Sequence, residues 1–403
     1  MLLPIFRYPR KTLKYIATAT LAIIFFLLYF RFPFLIIAAA LITLILITNN
    51  SFSVKISTVI TITALLCWIN SGKYLSGDLT WYYDHFLLLK KLPLTSYLGS
   101  RVNQFTIKIN EPFYYTISFI LSRISDGNTM VLNIFITGWI YLLTGAAFSK
   151  MLNSSGLSPA KTMAALTAAM FTGVTFSLTT HLVRQEFASA AFLLCATSLI
   201  LKETKLAILF GIISITSHES TYIPFSCLLI GYFYQKIEIP SGKTDKIVKI
   251  FLLLIFSGIG IYYSTHIAID NIFQRIRSDG DINPITMSLD ALLYIAVFFH
   301  AKKSNNELIL KLLFIAALYF SFLIGVSATP LAFLRMYFYV DLFRGCEVIY
   351  LSVALLRSNY GELMIFPIII ISTMYIELRI LVSNFAYYGG GIIGHLLFPI
   401  FFI

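Results

Sequence analysis

The chain has 403 residues, of which 58% are hydrophobic and 12% charged, with a mean hydropathy of +0.85. A soluble domain carries about 25% charged residues, so a soluble enzyme is excluded. The formal net charge of +12 does not call for nucleic acid, because it resolves into a membrane-topology signal and attraction to anionic lipid.

From the N-terminus, MLLPIFRYPRKTLK is basic and runs into an apolar stretch that ends in YFRFPF. A signal peptide would close on small residues, so a retained first span is expected here. Apolar segments then recur along the chain, those of about 17–22 residues being long enough for a roughly 30 Å hydrocarbon core. They lie at approximately 14–30, 32–48, 54–69, 129–148, 162–180, 186–201, 206–217, 219–234, 248–266, 285–301, 308–327, 336–356 and 362–381. Between them, residues 70–111 form the largest outer loop, and 111–124 an amphipathic helix too short to span alone. The short segments around 206–234 meet at SHEST, which predicts a turn buried at depth and lining a protein-walled cavity. The expectation is an all-α polytopic membrane protein with about 12–14 transmembrane helices, forming a single integral membrane domain over 1–403. The four cysteines (Cys67, Cys195, Cys227 and Cys346) sit in apolar context without ligand spacing, so neither disulfides nor a metal site is indicated.

Orientation follows from the lysine bias of short loops. With the N-terminus inside, Lys11, Lys14, Lys55, Lys150, Lys161, Lys202, Lys205, Lys236, Lys243, Lys246, Lys249, Lys302 and Lys303 all fall on the cytoplasmic side. The outer face then receives Asp78, His85, Arg101, Glu111, His181, Arg184, His218, Arg275, Arg277, Arg335 and the Tyr387–Tyr388 pair. Arginine's rigid fork matches phosphate and carboxylate oxygens bidentately. An outer site for a pyrophosphate or another multivalent anion is therefore indicated.

In HLVRQEFASAAFLLCA, His181 and Arg184 share a helix face. Ala188, Ala191 and Cys195 continue it as a stripe of small residues that lets a helix or a ligand approach closely. A snorkelling interfacial arginine is the plainer alternative. In ITSHESTYIPF, His218 can take a proton from a sugar hydroxyl or donate to a phosphate oxygen, with Tyr222 one turn on. A purely structural histidine is the competing reading. In SGDLTWYYDHF, Asp78, Tyr82 and His85 share one face of a short helix. Trp81, Tyr82, Tyr83, Tyr114 and Tyr115 suit a sugar groove or, equally, an interfacial aromatic belt. Asp78 and Glu111 are placed to orient an acceptor hydroxyl or to pair with the arginines. Arg275 and Arg277 lie in an outer loop with Asp270, Asp279 and Asp281, where a solvated mixed-charge loop is the safer interpretation. Arg335 opens a later span with no acid nearby and is taken as functional, whereas Arg344 has Asp341 and Glu347 three residues away on either side and is taken as structural. No soluble-enzyme signature is present, and DGD at 279–281 is only a weak approach to a metal-holding DxD.

In this order the pieces resemble the EpsG/Wzy group of bacterial polysaccharide polymerases, integral membrane enzymes of the GT-C kind. The matching elements are Asp78, Tyr82 or Tyr83 and Phe86; Glu111–Phe113; Arg184–Ala188 as R-Q-x-x-A; His218 about 34 residues later; and Arg335 with Tyr339. The resemblance covers about residues 70 to 390, and its specificity lies in order and spacing. It implies that a chain on undecaprenyl pyrophosphate is moved onto the non-reducing hydroxyl of a fresh lipid-linked repeat unit, at the periplasmic face of the bacterial inner membrane. His218, Arg184, Asp78 and Glu111 would then be catalytic, and Arg335, His181, Arg275, Arg277, Tyr82, Tyr83, His85, Tyr222 and Tyr339 substrate-binding. No cofactor or metal is expected, and a chain-length regulator protein is a candidate partner. The rivals are an O-antigen ligase, a flippase or transporter of lipid-linked oligosaccharide, and an acyltransferase.

Overall fold

A computed structural model describes residues 51–71, 78–93, 111–153, 155–174, 176, 183–237, 242–268 and 284–382. All regular structure among them is helical. In chain order the helices are α1 (Ser51–Ser71), α2 (Asp78–Leu89), α3 (Pro112–Ile124), α4 (Thr129–Leu152), α5 (Pro159–Thr172), α6 (Val183–Ile200) and α7 (Thr204–Ser217). A 3-10 turn at Glu219–Thr221 leads into α8 (Tyr222–Tyr234). Next come α9 (Lys243–Tyr262), extended by a π-helical turn at Tyr263–Ala268, and α10 (Pro284–Lys303). The chain continues through α11 (Glu307–Val326), α12 (Pro330–Tyr337), α13 (Val340–Leu356) and α14 (Ile365–Val382). Five described helices are long and apolar enough to cross a membrane: α1, α4, α6, α9 with its π turn, and α11. This is the composition of an all-α polytopic membrane protein.

Helix α6 is the centre. Its apolar window is 83% buried within the protein, against 17% for α9, which packs chiefly on α11. The small-residue stripe explains the enclosure. Ser214 Oγ of α7 donates to the Ala188 carbonyl at 2.9 Å, and Gly211 of α7 lies against Cys195. The stripe is thus filled by a neighbouring helix, not by a ligand. On the other side of α6, Trp139 of α4 stacks on Phe187 with ring centroids 4.5 Å apart, and its indole N–H donates to the Phe187 carbonyl.

Two expected spans are shorter than the apolar runs that suggested them. Helix α5 stops at Thr172 because Gly173 meets Gly345 of α13 backbone to backbone; a Cβ on Gly173 would stand 2.6 Å from the Gly345 Cα. The segment 336–356 is broken at Phe338–Tyr339 into α12 and α13. Carbonyls freed at that break are capped from afar: the Tyr319 hydroxyl donates to Met336 O and the Gln185 amide to Arg335 O.

The bundle has two chemically different ends. At one, Lys55 donates to Asn153, Lys150 pairs with Glu203, Lys161 pairs with Glu362, and Arg357 donates to the Ser155 carbonyl. At the other, α6 begins, α7 ends, and α2 and α3 lie alongside the early turns of α4. Ser122 of α3 donates to the Phe86 carbonyl of α2, and Asn133 of α4 donates to the Tyr83 hydroxyl. The second end holds the candidate site.

Candidate functional site

The site is built around Glu111. Pro112 starts α3, where its fixed φ suits the first helical position and its missing N–H costs nothing. Glu111 therefore sits at the helix entrance, but its carboxylate makes no cap bond to α3 and turns into the protein, fully buried. A carboxylate there is tolerable only with partners for its lone pairs. Arg184, in the first turn of α6, donates from Nη1 to Glu111 Oε2 at 2.5 Å and to the Tyr115 hydroxyl at 3.0 Å. Its guanidinium carbon lies 5.9 Å from the centre of the Tyr115 ring. Tyr82 of α2 is also hydrogen-bonded to Arg184. Phe113, two residues beyond Glu111, packs on Trp139 and Phe187. Trp139 stands about ten residues along α4 from Thr129, roughly 15 Å from that helix end.

The third wall is the junction between α7 and α8. His218 is extended (φ −157°, ψ 130°) and ends α7, and the 3-10 turn follows at once. The Ser220 N–H donates to His218 Nδ1 at 3.1 Å, which leaves the ring hydrogen on Nε2. Nε2 faces Glu111 Oε1 at 3.8 Å, and the Glu219 backbone N–H donates to the same oxygen at 3.4 Å. The turn is held from the α12–α13 break, where the Tyr339 hydroxyl bonds Ser220 Oγ at 2.8 Å and Thr221 Oγ1 at 3.0 Å. The polar turn between the two short helices, buried at Thr221 and partly buried at His218, Glu219 and Ser220, is thereby supported by side chains.

Among the residues singled out in the sequence, Glu111, Arg184, His218, Tyr82 and Tyr339 come together in this cluster. His85 joins it edge-on through Tyr115, with ring centroids 5.1 Å apart. Burial, with the Arg184 charge adding to it, lowers the His85 pKa to about 4, and burial pushes the Tyr115 hydroxyl up to about 12. Tyr83 turns towards α4 and accepts from Asn133, so of the two tyrosines Tyr82 is the one at the cluster. Tyr222 is half-exposed on α8. Arg335 has an exposed side chain on α12, and the Tyr263 hydroxyl of the π turn lies within electrostatic reach of both Arg335 and Glu219. Asp78 is the first residue of α2, its side chain lying outside the described part. His181, Arg275 and Arg277 lie outside the described residues. Tyr115 and Gln185 are additional members. By sequence Tyr115 suits a sugar groove or an aromatic belt equally, and Gln185 stands inside the R-Q-x-x-A pattern without a role.

Arg344 is structural in a way that its sequence neighbours do not describe. Its main partner is Asp290 of α10, reached from Nε at 2.5 Å and from Nη2 at 2.7 Å. Asp341 is a second partner at 2.8 Å, Nη1 reaches the Thr172 carbonyl, and the Tyr337 hydroxyl donates to Asp290. Glu347, expected to balance Arg344 with Asp341, makes no ion pair with it among the described residues, because Asp290 occupies both the Nε and Nη2 edge of the fork.

No family model, curated protein or solved structure matches this chain. What the cluster can do chemically follows from its donors. Arg184, the Nε2 hydrogen of His218 and the Tyr82 and Tyr115 hydroxyls converge around one carboxylate. Such a wall orients and stabilises oxyanions. No group of three or more His, Cys, Asp or Glu residues with metal-holding geometry exists among the described residues.

Proposed function

We propose that this chain is a membrane-embedded glycosyltransferase that polymerises lipid-linked oligosaccharide repeat units, with undecaprenyl pyrophosphate as the leaving group. The observation that carries this reading is the convergence of Glu111, Arg184 and His218. These lie 73 and 34 residues apart in sequence, yet Arg184 and His218 stand 2.5 Å and 3.8 Å from the two oxygens of one buried carboxylate. A glycosyl donor on pyrophosphate is already activated, so the protein must supply charge stabilisation and positioning above all. In this reading Arg184 and His218 donate to the pyrophosphate oxygens. Glu111 is a positioning residue that fixes both of them without touching the sugar. Tyr82 and Tyr115 line the same wall, and Arg335 faces the incoming phosphate from α12.

The site lies at the end of the bundle opposite Lys55, Lys150 and Lys161, and the positive-inside rule supports reading that end as the periplasmic side of a bacterial inner membrane. The reading carries with it about 12–14 crossings of GT-C type, lipid tails entering between helices, and a chain-length regulator as partner. The test is the surface polysaccharide pattern, on a gel, of a strain lacking this protein. Loss of the ladder with one repeat unit retained on its acceptor is expected. Loss of every repeat unit points to a ligase or flippase and rejects the polymerase.

A further inference from the structure

A neutral histidine carries its hydrogen on one of two nitrogens, and which one decides what the ring can do. At His218 a single bond fixes the choice. The Ser220 backbone N–H can only donate, so Nδ1 at 3.1 Å accepts and the ring hydrogen stands on Nε2. The other bonds of the turn inherit their direction from this one. Ser220 Oγ lies 2.7 Å from the same Nδ1, and against an accepting nitrogen the hydroxyl has to donate. Its one hydrogen is then spent, so towards the Tyr339 hydroxyl at 2.8 Å Ser220 accepts and Tyr339 donates. Tyr339 in turn accepts from Thr221 Oγ1 at 3.0 Å. The hydroxyls of Thr221, Tyr339 and Ser220 thus form a one-way series that ends on the imidazole.

Bonds in such a series polarise one another. A donor held on Nδ1 draws electron density from the ring, which makes the Nε2 hydrogen the better donor. The far end of the series is rigid, since Tyr339 and Thr221 are both fully buried, whereas Ser220 is only partly buried at the edge of the site. The frame is also shared with the other main donor. Tyr339 belongs to the α12–α13 break, where the Arg335 carbonyl receives the amide of Gln185, the chain neighbour of Arg184. Arg184 and His218 are therefore referenced to one break in the chain, the first through Gln185 and the second through Ser220.

We propose that Ser220 is a positioning residue which, backed by Tyr339, holds His218 as an Nε2–H donor aimed at the pyrophosphate oxygens. The same arrangement excludes His218 as the base that takes the acceptor's proton. Nε2 carries a hydrogen and has no lone pair to offer, and Nδ1 already receives two donors from Ser220. Ser220 itself touches no substrate in this account. Its hydroxyl acts through the ring.

The inference rests on the glycosyl-transfer reading for its effect on rate, but the hydrogen positions are read without turnover. Full-length protein labelled with ring-¹⁵N histidine is examined by NMR as wild type, Ser220→Ala and Ser220→Thr, and the His218 signals are identified by their loss in His218→Gln. The same preparations are assayed for extension of synthetic lipid-linked repeat units and for melting temperature. In wild type Nε2 should be protonated, with Nδ1 unprotonated and displaced by hydrogen bonding. In Ser220→Ala the Nδ1 resonance should move towards that of an unbonded ring nitrogen. Its kcat should fall about tenfold at near wild-type KM and melting temperature, the scale of one lost hydrogen bond. Ser220→Thr keeps the hydroxyl and should restore both resonance and rate. A serine that only braces the turn would lower the melting temperature and leave the Nδ1 resonance in place. A hydrogen on Nδ1 in wild type overturns the inference. So does extension by Ser220→Ala within about twofold of an active wild type, less than even a weak hydrogen bond gives, and the polymerase reading then stands. If folded wild type extends no lipid-linked repeat unit, the functional reading falls and takes this inference with it, whatever the spectrum shows.

Discussion

Arg184 and Arg344 are both arginines in apolar helices, and each meets a carboxylate far away in sequence, but their surroundings are opposite. Arg344 is closed off on all edges: Asp290 takes Nε and Nη2, Asp341 shares Nη2, and a carbonyl takes Nη1, with both acids themselves buried. Arg184 keeps 18% of its side chain exposed and shares its carboxylate with a histidine and a backbone N–H. One arginine is consumed by holding α10, α13 and the end of α5 together. The other is held by its partners at the edge of a polar recess. The difference teaches that burial of a charge says little about role until the remaining valences of its partners are counted.

The sharpest way to break this comparison is to remove the enclosed cation. Arg344→Leu leaves Asp290 and Asp341 buried without a counter-charge, which costs on the order of 3–5 kcal/mol. The variant is expected to fail to accumulate as monodisperse protein in detergent, as read by size-exclusion chromatography. Normal accumulation would show that Arg344 is not a structural keystone. A smaller effect is expected at the support of the turn. Tyr339→Phe removes the bonds to Ser220 and Thr221, a loss of about 1–3 kcal/mol if those hydroxyls stay unpaired. Chain extension should fall by roughly tenfold with the protein still folded, and an unchanged rate would detach Tyr339 from the site.

The smallest expected effect is on acid stability. Burial first, and the Arg184 charge second, lower the His85 pKa from 6.5 to about 4. Between those values the unfolded chain binds the proton and the folded chain does not, so stability falls as pH drops through that window. His85→Gln should therefore lose less melting temperature than wild type between pH 7 and pH 5 in the same detergent. Equal losses would show that His85 does not contribute to the acid sensitivity.

These regions also mark how far the sequence alone could be read. Hydropathy locates the helices, since apolar length is what a bilayer demands, and the types and order of Glu111, Arg184 and His218 single them out before any geometry is known. Asp290 was hidden because a pattern of three residues either side of Arg344 can point to Asp341 and Glu347, but not across 54 positions. The break at Phe338–Tyr339 was hidden for a similar reason. Nothing in the span expected at 336–356 signals it, because the groups that cap its carbonyls, Gln185 and Tyr319, come from other helices. The role of Tyr115 was blurred by composition, as an aromatic near a helix start reads equally as interfacial belt.

The central claim, that Arg184 acts on substrate while Arg344 acts on the fold, is tested most directly by exchanging each fork for a point charge. Arg184→Lys and Arg344→Lys proteins, purified to the same monodispersity, are assayed for extension of synthetic lipid-linked repeat units. A lysine cannot reproduce a guanidinium's fixed set of donors. Arg184→Lys should lose about 10²–10³-fold in rate, in the range for removing a preorganised oxyanion donor, with its melting temperature close to wild type. Arg344→Lys should melt lower yet extend chains at near wild-type rate wherever it is folded. Normal extension by Arg184→Lys together with loss of extension by a folded Arg344→Lys would contradict the account.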